Sequence, residues 1–81
     1  MIARVYVTLK AGVLDPQGRA IARALVADGF DEVQDARVGK LIEVKLEETD
    51  PTRAKARLKE MCEKLLANTV IERYDIEIPN A

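Results

Sequence analysis

Apolar and polar side chains alternate along the first residues, which predicts a β-strand with one apolar face. One side of "IARVYVTLK" carries only apolar residues: Ala3, Val5, Val7 and Leu9. The other side is mixed: Ile2, Arg4, Tyr6 and Thr8. We expect the apolar side to face the core of the domain and the mixed side to face away from it.

Helical spacing replaces this alternation after Asp15 and Pro16. An aspartate carboxylate can accept hydrogen bonds from backbone N–H groups at a helix start, and proline fits the first turn. Ile21 and Leu25 then recur on one helix face, and Gly29 is placed to end the helix in a left-handed conformation. These residues predict a first helix between Asp15 and Gly29.

Gly39 separates two short strand patterns in "VQDARVGKLIEVKLEE". Glycine is common in tight turns and bulges, so we expect two neighbouring strands that meet at this residue. In the second pattern the apolar side chains share one face: Ile42, Val44 and Leu46.

A second Asp-Pro pair, at Asp50 and Pro51, predicts a second helix that ends near Asn68. The core side of this helix is predicted to carry Ala54, Leu58, Met61, Cys62 and Leu65. The stretch "VIERYDIEI" then alternates as a last strand, which Pro79 ends. Its inward side is predicted to carry Tyr74, Ile76 and Ile78.

The predicted order is strand, helix, strand, strand, helix, strand. This order predicts an α+β fold of the split βαβ (ferredoxin-like) type, a βαββαβ sandwich with an antiparallel sheet and two helices on one face. With 81 residues the chain is long enough for a single domain, 1–81. A domain of this size buries only about 60–65% of its unfolded surface, so added support from a partner is expected.

Four large apolar side chains fall on the strand side that the helices do not cover: Ile2, Tyr6, Leu41 and Ile71. Monomers rarely expose a contiguous apolar patch of this kind. We therefore predict self-association through the sheet, as a dimer or tetramer. The simpler interpretation is that single exposed apolar residues are common on protein surfaces.

Charge and composition exclude several classes of partner. The chain is 33% charged, but its formal net charge is only −1 and the two signs are interspersed. Without a basic field and with only three aromatic residues, nucleic-acid binding is not expected. No apolar stretch approaches the roughly 20 residues of a membrane span, and "MIARVYV" does not resemble a signal peptide. We expect a cytoplasmic protein without a membrane partner.

Candidate chemistry is sparse. With no histidine to activate it, Cys62 is expected to fill the core, and no catalytic or metal-binding residues are predicted. The stretch "KAGVLDPQGRAI" places Lys10 near a helix start, but Asp15 would repel a phosphate there and the glycine spacing is not that of a phosphate loop. A chain-turning role is therefore favoured over a phosphate site. We predict that the loops face a partner through Lys10, Gly12, Gly18, Arg37 and Lys40.

Three blocks of the sequence resemble the PurS family: "KAGVLDPQGRAI", "RVGK.IEV.L" and "MCEKLLANTVIERYDIEI". The resemblance implies the small subunit of phosphoribosylformylglycinamidine synthase, an ATP- and glutamine-dependent ligase of de novo purine synthesis. It also implies that this chain carries no catalytic residue or cofactor, because ATP and Mg²⁺ belong to the large synthetase subunit. The small subunit would form a dimer or tetramer, assemble the large subunit with a glutaminase subunit and support ammonia transfer between them.

A different class of function remains open from the residues alone. Split βαβ domains also serve as regulatory modules that bind a small ligand at a dimer interface. A specific ligand that raised the melting temperature of the isolated chain would favour this alternative, and a shift produced only by protein partners would favour the assembly subunit.

Overall fold

The computed structural model describes residues 1–78 and shows an α+β chain with three strands and two helices. The elements in chain order are β1 (Ile2–Leu9), α1 (Pro16–Ala27), β2 (Lys40–Lys45), α2 (Pro51–Met61) and β3 (Glu72–Glu77). Both helices begin at the proline of an Asp-Pro pair, and each aspartate accepts a hydrogen bond from a backbone N–H of the first turn. The predicted strand end at Pro79 lies outside the described residues.

The sheet is antiparallel and has the order β2-β1-β3. Central strand β1 pairs Tyr6 with Leu41 on one side and with Asp75 on the other. Its alternation is as predicted, because Ala3, Val5 and Val7 are buried while Tyr6 is exposed. We call the side of Ala3, Val5 and Val7 the near face of the sheet, and the opposite side the far face.

Helix α2 covers the near face through Ala54 and Leu58, which are fully buried. A π-helical turn, Cys62–Leu66, continues α2, and the N–H of Ala67 donates to the carbonyl oxygen of Cys62 at 3.1 Å. Because a π-turn holds one residue more than an α-turn, it rotates the following side chains around the axis. The prediction that Leu65 belongs to the core is therefore wrong: Leu65 is 83% exposed.

The predicted packing of both helices on the sheet is also corrected. Among residues 1–78, the core cluster contains no residue of α1, and Gly18 is the only buried residue of that helix. The radius of gyration is 16.0 Å, whereas a compact chain of this length has about 12 Å. The chain is therefore elongated, and we call the part that stands away from the core, residues 11–38, the arm.

The predicted fourth strand, before Gly39, is not formed within the described residues, whose sheet has three strands. The backbone of this segment is held by the start of α1. The N–H of Val38 donates to Asp15 Oδ2 at 2.8 Å, and Arg37 Nη2 donates to the carbonyl oxygen of Lys10 at 3.3 Å. Val38 is thus bound to the helix start and Arg37 to the residue after β1, and neither residue lies in the sheet.

Candidate functional site

The end of the sheet next to the arm gathers most of the residues predicted to face a partner. Arg37 crosses the end of β1 and donates to the carbonyl oxygens of Leu9 and Lys10, at 3.5 and 3.3 Å. Lys40 begins β2 beside Val7. Within residues 1–78, neither lysine ammonium has a carboxylate partner. We call Lys10, Arg37 and Lys40 the basic end.

The two glycines predicted to face a partner differ in their exposure. Gly12 has a φ of +88°, with no atom within 4 Å of where a Cβ would lie, so it makes an exposed turn beside Lys10. Gly18 is buried, and a Cβ there would lie 2.3 Å from the carbonyl oxygen of Ala36. The assignment of Gly18 to a partner surface is therefore corrected: its close backbone approach is made to the chain's own loop.

Asp15 joins the two ends of the arm. One carboxylate oxygen accepts from the N–H of Gly18 and the other from the N–H of Val38, each at 2.8 Å. The Val38 bond, then the Gly18 bond, lower the pKa of Asp15 below its ordinary value, and the Arg37 guanidinium, 3.9 Å away, acts in the same direction. Asp15 is thus both the predicted helix cap and a bridge to the loop that leads into β2. This bridge supports the chain-turning role.

The far face carries an ion-pair network across the three strands. Arg4, on the central strand, contacts Glu43 of β2 at 3.3 Å and Glu77 of β3 at 3.2 Å. Hydrogen bonds from Arg4 to Glu77 and then to Glu43 raise the pKa of the guanidinium. The hydroxyl of Tyr6 also donates to Glu77, at 3.4 Å. The middle of the far face is therefore charged.

The four residues predicted to form a self-association patch are spread along the length of the sheet. Tyr6 and Leu41 are directly paired across β1 and β2. Ile2 lies at the start of β1, whereas the carbonyl oxygen of Ile71 accepts from the N–H of Lys10, beyond its end. At about 3.3 Å per residue, Ile2 and Lys10 are roughly 26 Å apart along the strand. Their role in self-association remains a prediction.

Uncovered apolar side chains on the arm are the feature that the sequence reasoning missed. Ile21 and Val26 of α1 are 41% and 43% exposed, and Leu14 before the helix is 79% exposed. The spacing of Ile21 predicts an apolar helix face, and the predicted sandwich places that face on the chain's own sheet. Only the position of the arm shows that this apolar face lacks a cover.

The side chains that could take part in catalysis have structural roles instead. Cys62 is fully buried, and burial raises the pKa of its thiol. The Tyr74 hydroxyl donates to Glu63 at 2.6 Å, which raises the pKa of Tyr74 to about 12. Over residues 1–78, no group of three or more potential ligand side chains is placed to hold a metal ion, and no helix is long and apolar enough to cross a membrane.

Uncovered apolar surface on a small α+β domain is typical of a subunit that binds other protein chains. The family model described as PurS, phosphoribosylformylglycinamidine (FGAM) synthase, matches residues 2–80. The chain belongs to this family. Curated relatives include the synthase subunit PurS of Bacillus subtilis, which is 53% identical over 93% of this chain and 88% of its own length. The corresponding subunit of Methanocaldococcus jannaschii is 43% identical, over 94% and 92%.

Solved structures of this family have the same fold. The chain resembles Methanocaldococcus jannaschii PurS with a TM-score of 0.86 and 45% identity, over 94% of this chain and 92% of that one. It also resembles a chain of the Thermotoga maritima PurLQS structure, with a TM-score of 0.82 and 30% identity, over 95% and 96%. The names describe subunits of a synthase, so the small-ligand regulatory alternative is not favoured.

Proposed function

We propose that this chain is the small, non-catalytic subunit of phosphoribosylformylglycinamidine synthase and that it assembles the large synthetase subunit with the glutaminase subunit. The observation that carries the proposal is the match to PurS over residues 2–80, together with the likeness to a chain of a PurLQS structure. The chain would act in the cytoplasm. ATP and Mg²⁺ would bind to the large subunit and not to this chain.

Holding the two larger subunits together would help catalysis through proximity. Ammonia released by a glutaminase is diluted by water unless the acceptor site is close and shielded. A tether raises the effective concentration of the second site without a new chemical contact, and an enclosed path excludes water. The small subunit would therefore raise the yield of glutamine-derived ammonia without touching it.

Reconstitution from separate subunits tests this function. Synthase activity is measured with glutamine and, in parallel, with ammonium salt, each with and without this chain. We expect omission of the chain to reduce the glutamine-dependent rate strongly and the ammonia-dependent rate much less. Equal glutamine-dependent rates with and without the chain would refute the proposal.

The basic end is the proposed contact with an acidic surface of a larger subunit. Lys10 and Lys40 are exposed and belong to this end, and Arg37 donates to the carbonyl oxygen of Lys10. We expect Lys10→Glu combined with Lys40→Glu to weaken complex formation on a sizing column. Lys45→Glu, at the opposite end of β2, is the matched control and should leave assembly intact. Equal elution profiles for the double variant and the control would remove the basic end from the interface.

A further inference from the structure

The edge of the sheet at β3 is open. The strand order is β2-β1-β3, so within the described residues β3 pairs only with β1. An edge strand presents backbone N–H and C=O groups with which another extended segment can pair. Strand β3 therefore offers its length, Glu72–Glu77, to a further strand.

The two edges of the sheet differ in how they are protected. Lysine or proline in an edge strand discourages pairing with another chain. Strand β2 begins with Lys40 and ends with Lys45, whereas β3 contains neither lysine nor proline. The edge at β3 is therefore the more accessible of the two.

Two charged side chains of β3 are bound to the neighbouring strand. Arg73 donates to Thr8 Oγ1 at 3.1 Å, and Glu77 accepts from Arg4 at 3.2 Å. Thr8 and Arg4 belong to β1, on the inner side of β3. These two side chains are therefore held toward the middle of the sheet and do not block its open edge.

A groove lies between β3 and helix α2. Its strand side is apolar, because it is formed by the half-buried side chains of Ile76 and Ile78. Its helix side is basic, because it includes the exposed side chains of Lys55 and Lys59. The described residues that line it include no acidic residue. The near-face side chains of a strand added to β3 would point into this groove.

The two lysines of the groove have no carboxylate partner in the described part of the chain. The arginines on the other side of α2 are paired, since Arg53 lies 4.0 Å from Glu48 and Arg57 lies 3.1 Å from Glu60. The groove therefore presents uncompensated positive charge, which favours an acidic partner.

Several elements of a second copy of this chain would bring more positive charge to the groove. Helix α1 contains Arg19 and Arg23 but no acidic residue, and β2 has a lysine at each end. Two copies joined through their β3 edges by a two-fold axis would place their lysine-bordered grooves side by side. Charge complementarity therefore favours a different chain over a second copy.

The acidic tip of the arm, residues 28–33, does not have the shape that the edge requires. The N–H of Phe30 donates to the carbonyl oxygen of Leu25, and the N–H of Val33 donates to that of Phe30, at 3.0 and 3.1 Å. These bonds fold the tip into turns, whereas a strand that pairs with β3 is extended. A partner for β3 must be extended as well as acidic.

We propose that an acidic, extended segment of a larger synthase subunit adds a strand to the open edge of β3. Backbone hydrogen bonds along β3 hold the segment, and its alternate side chains enter the groove over Ile76. Its carboxylates face Lys55 and Lys59. This inference rests on the proposed function, because it takes its partner from the same complex.

Charge reversal in the groove tests the proposal. Lys55→Glu combined with Lys59→Glu is mixed with the large subunit, with the glutaminase and with both, and Kd is measured by light scattering. We expect about tenfold weaker binding to the subunit that supplies the segment, because like charges would replace opposite ones. The matched control is Arg53→Glu combined with Arg57→Glu, the same change of charge on the other side of α2, which should leave Kd unchanged. Circular dichroism checks that both double variants retain their helices.

Hydrogen exchange at single amides of β3 is the second measurement. In the wild-type chain, the larger subunit should slow exchange at those amides of residues 72–77 that point to the open edge, since they gain hydrogen-bond acceptors. The groove double variant, at the same concentrations, should show less slowing. A complex that forms with unchanged exchange in β3 would overturn strand addition.

Two further outcomes would overturn the proposal. Equal Kd values for the groove double variant and the wild type in every mixture would show that these lysines do not contact the partner. A lower molar mass of the isolated chain in the double variant would show that the groove is a contact between copies. Reconstitution with and without the wild-type chain tests the proposed function independently of any groove variant, so the two failures are distinguishable.

Discussion

Gly18→Ala is the most direct test of how the arm is held. The added methyl carbon would lie 2.3 Å from the carbonyl oxygen of Ala36 and 2.8 Å from Asp15 Oδ2. Ordinary contact at this kind of position needs about 3.4 Å, so the loop would have to move by about 1 Å. Such a shift would lengthen the 2.8 Å bond between Val38 and Asp15 beyond hydrogen-bonding distance.

The expected net effect of Gly18→Ala is a loss of stability. Alanine gains about 1 kcal/mol over glycine in helix propensity, but overpacking against a backbone group typically costs 1–3 kcal/mol, with the lost hydrogen bonding in addition. We expect the free energy of unfolding to fall by about 1–3 kcal/mol, which lowers the urea midpoint by about 1–3 M at the slope of about 1 kcal/mol/M expected for a chain of this size.

Urea unfolding followed by circular dichroism, at one fixed protein concentration, measures this change. Gln17→Ala, an exposed neighbour on the same helix turn, is the control and should unfold within about 0.5 kcal/mol of the wild type. An unchanged midpoint for Gly18→Ala combined with loss of binding to the larger subunits would refute the reasoning, because it would show that Gly18 faces a partner after all.

Three further predictions follow from buried or hydrogen-bonded side chains. Leu58→Ala should lower the free energy of unfolding by about 3–5 kcal/mol, whereas exposed Leu65→Ala should change it by less than about 0.5 kcal/mol in the same urea assay. The pKa of Asp15 is lowered in the folded chain, so its stabilising effect is present above the unfolded value near 3.9 and is lost as the pH falls through the folded value. Asp15→Asn should therefore flatten the acid limb of a stability–pH curve, and an unchanged slope below about pH 4 would contradict this. The pKa of Tyr74 is about 12 because its hydroxyl is hydrogen-bonded to Glu63. The stabilising effect of this hydrogen bond is therefore complete below about pH 10 and is lost as the pH rises through 12. Glu63→Gln should move the ultraviolet titration of Tyr74 toward 10, and no shift would exclude Glu63 as the cause.

Local signals in the sequence correctly predicted the elements that depend on local physics. Pro16 and Pro51 begin the two helices because each follows a capping aspartate, and the alternation of β1 correctly separates buried Val5 from exposed Tyr6. The relation of the elements in space was harder to predict. Asp15 was identified as a cap, but its second oxygen binds Val38, which lies beyond the helix and has no recognisable signal in the sequence.

The predicted core was wrong at positions where spacing alone was used. Leu65 has α-helical spacing from Leu58, but the π-turn that begins at Cys62 changes the angle between them. Ile21 has the spacing of a helix that packs on a sheet, and the sequence cannot specify whether that sheet belongs to the same chain. The spacing of apolar residues in the sequence shows which side chains share a face, but not what covers that face.

The charged network around Arg4 limits which molecules can cover the far face. An apolar partner surface that covered this network would remove water from Arg4, Glu43 and Glu77 without offering hydrogen bonds in its place. Such desolvation costs free energy even for paired ions. A neighbour on this side must bring polar groups or keep a layer of ordered water between the two surfaces. The near face of the sheet therefore favours an apolar neighbour, whereas the far face favours a polar one. A closely packed contact on the near face is compatible with a hydrated, readily reversible contact on the far face.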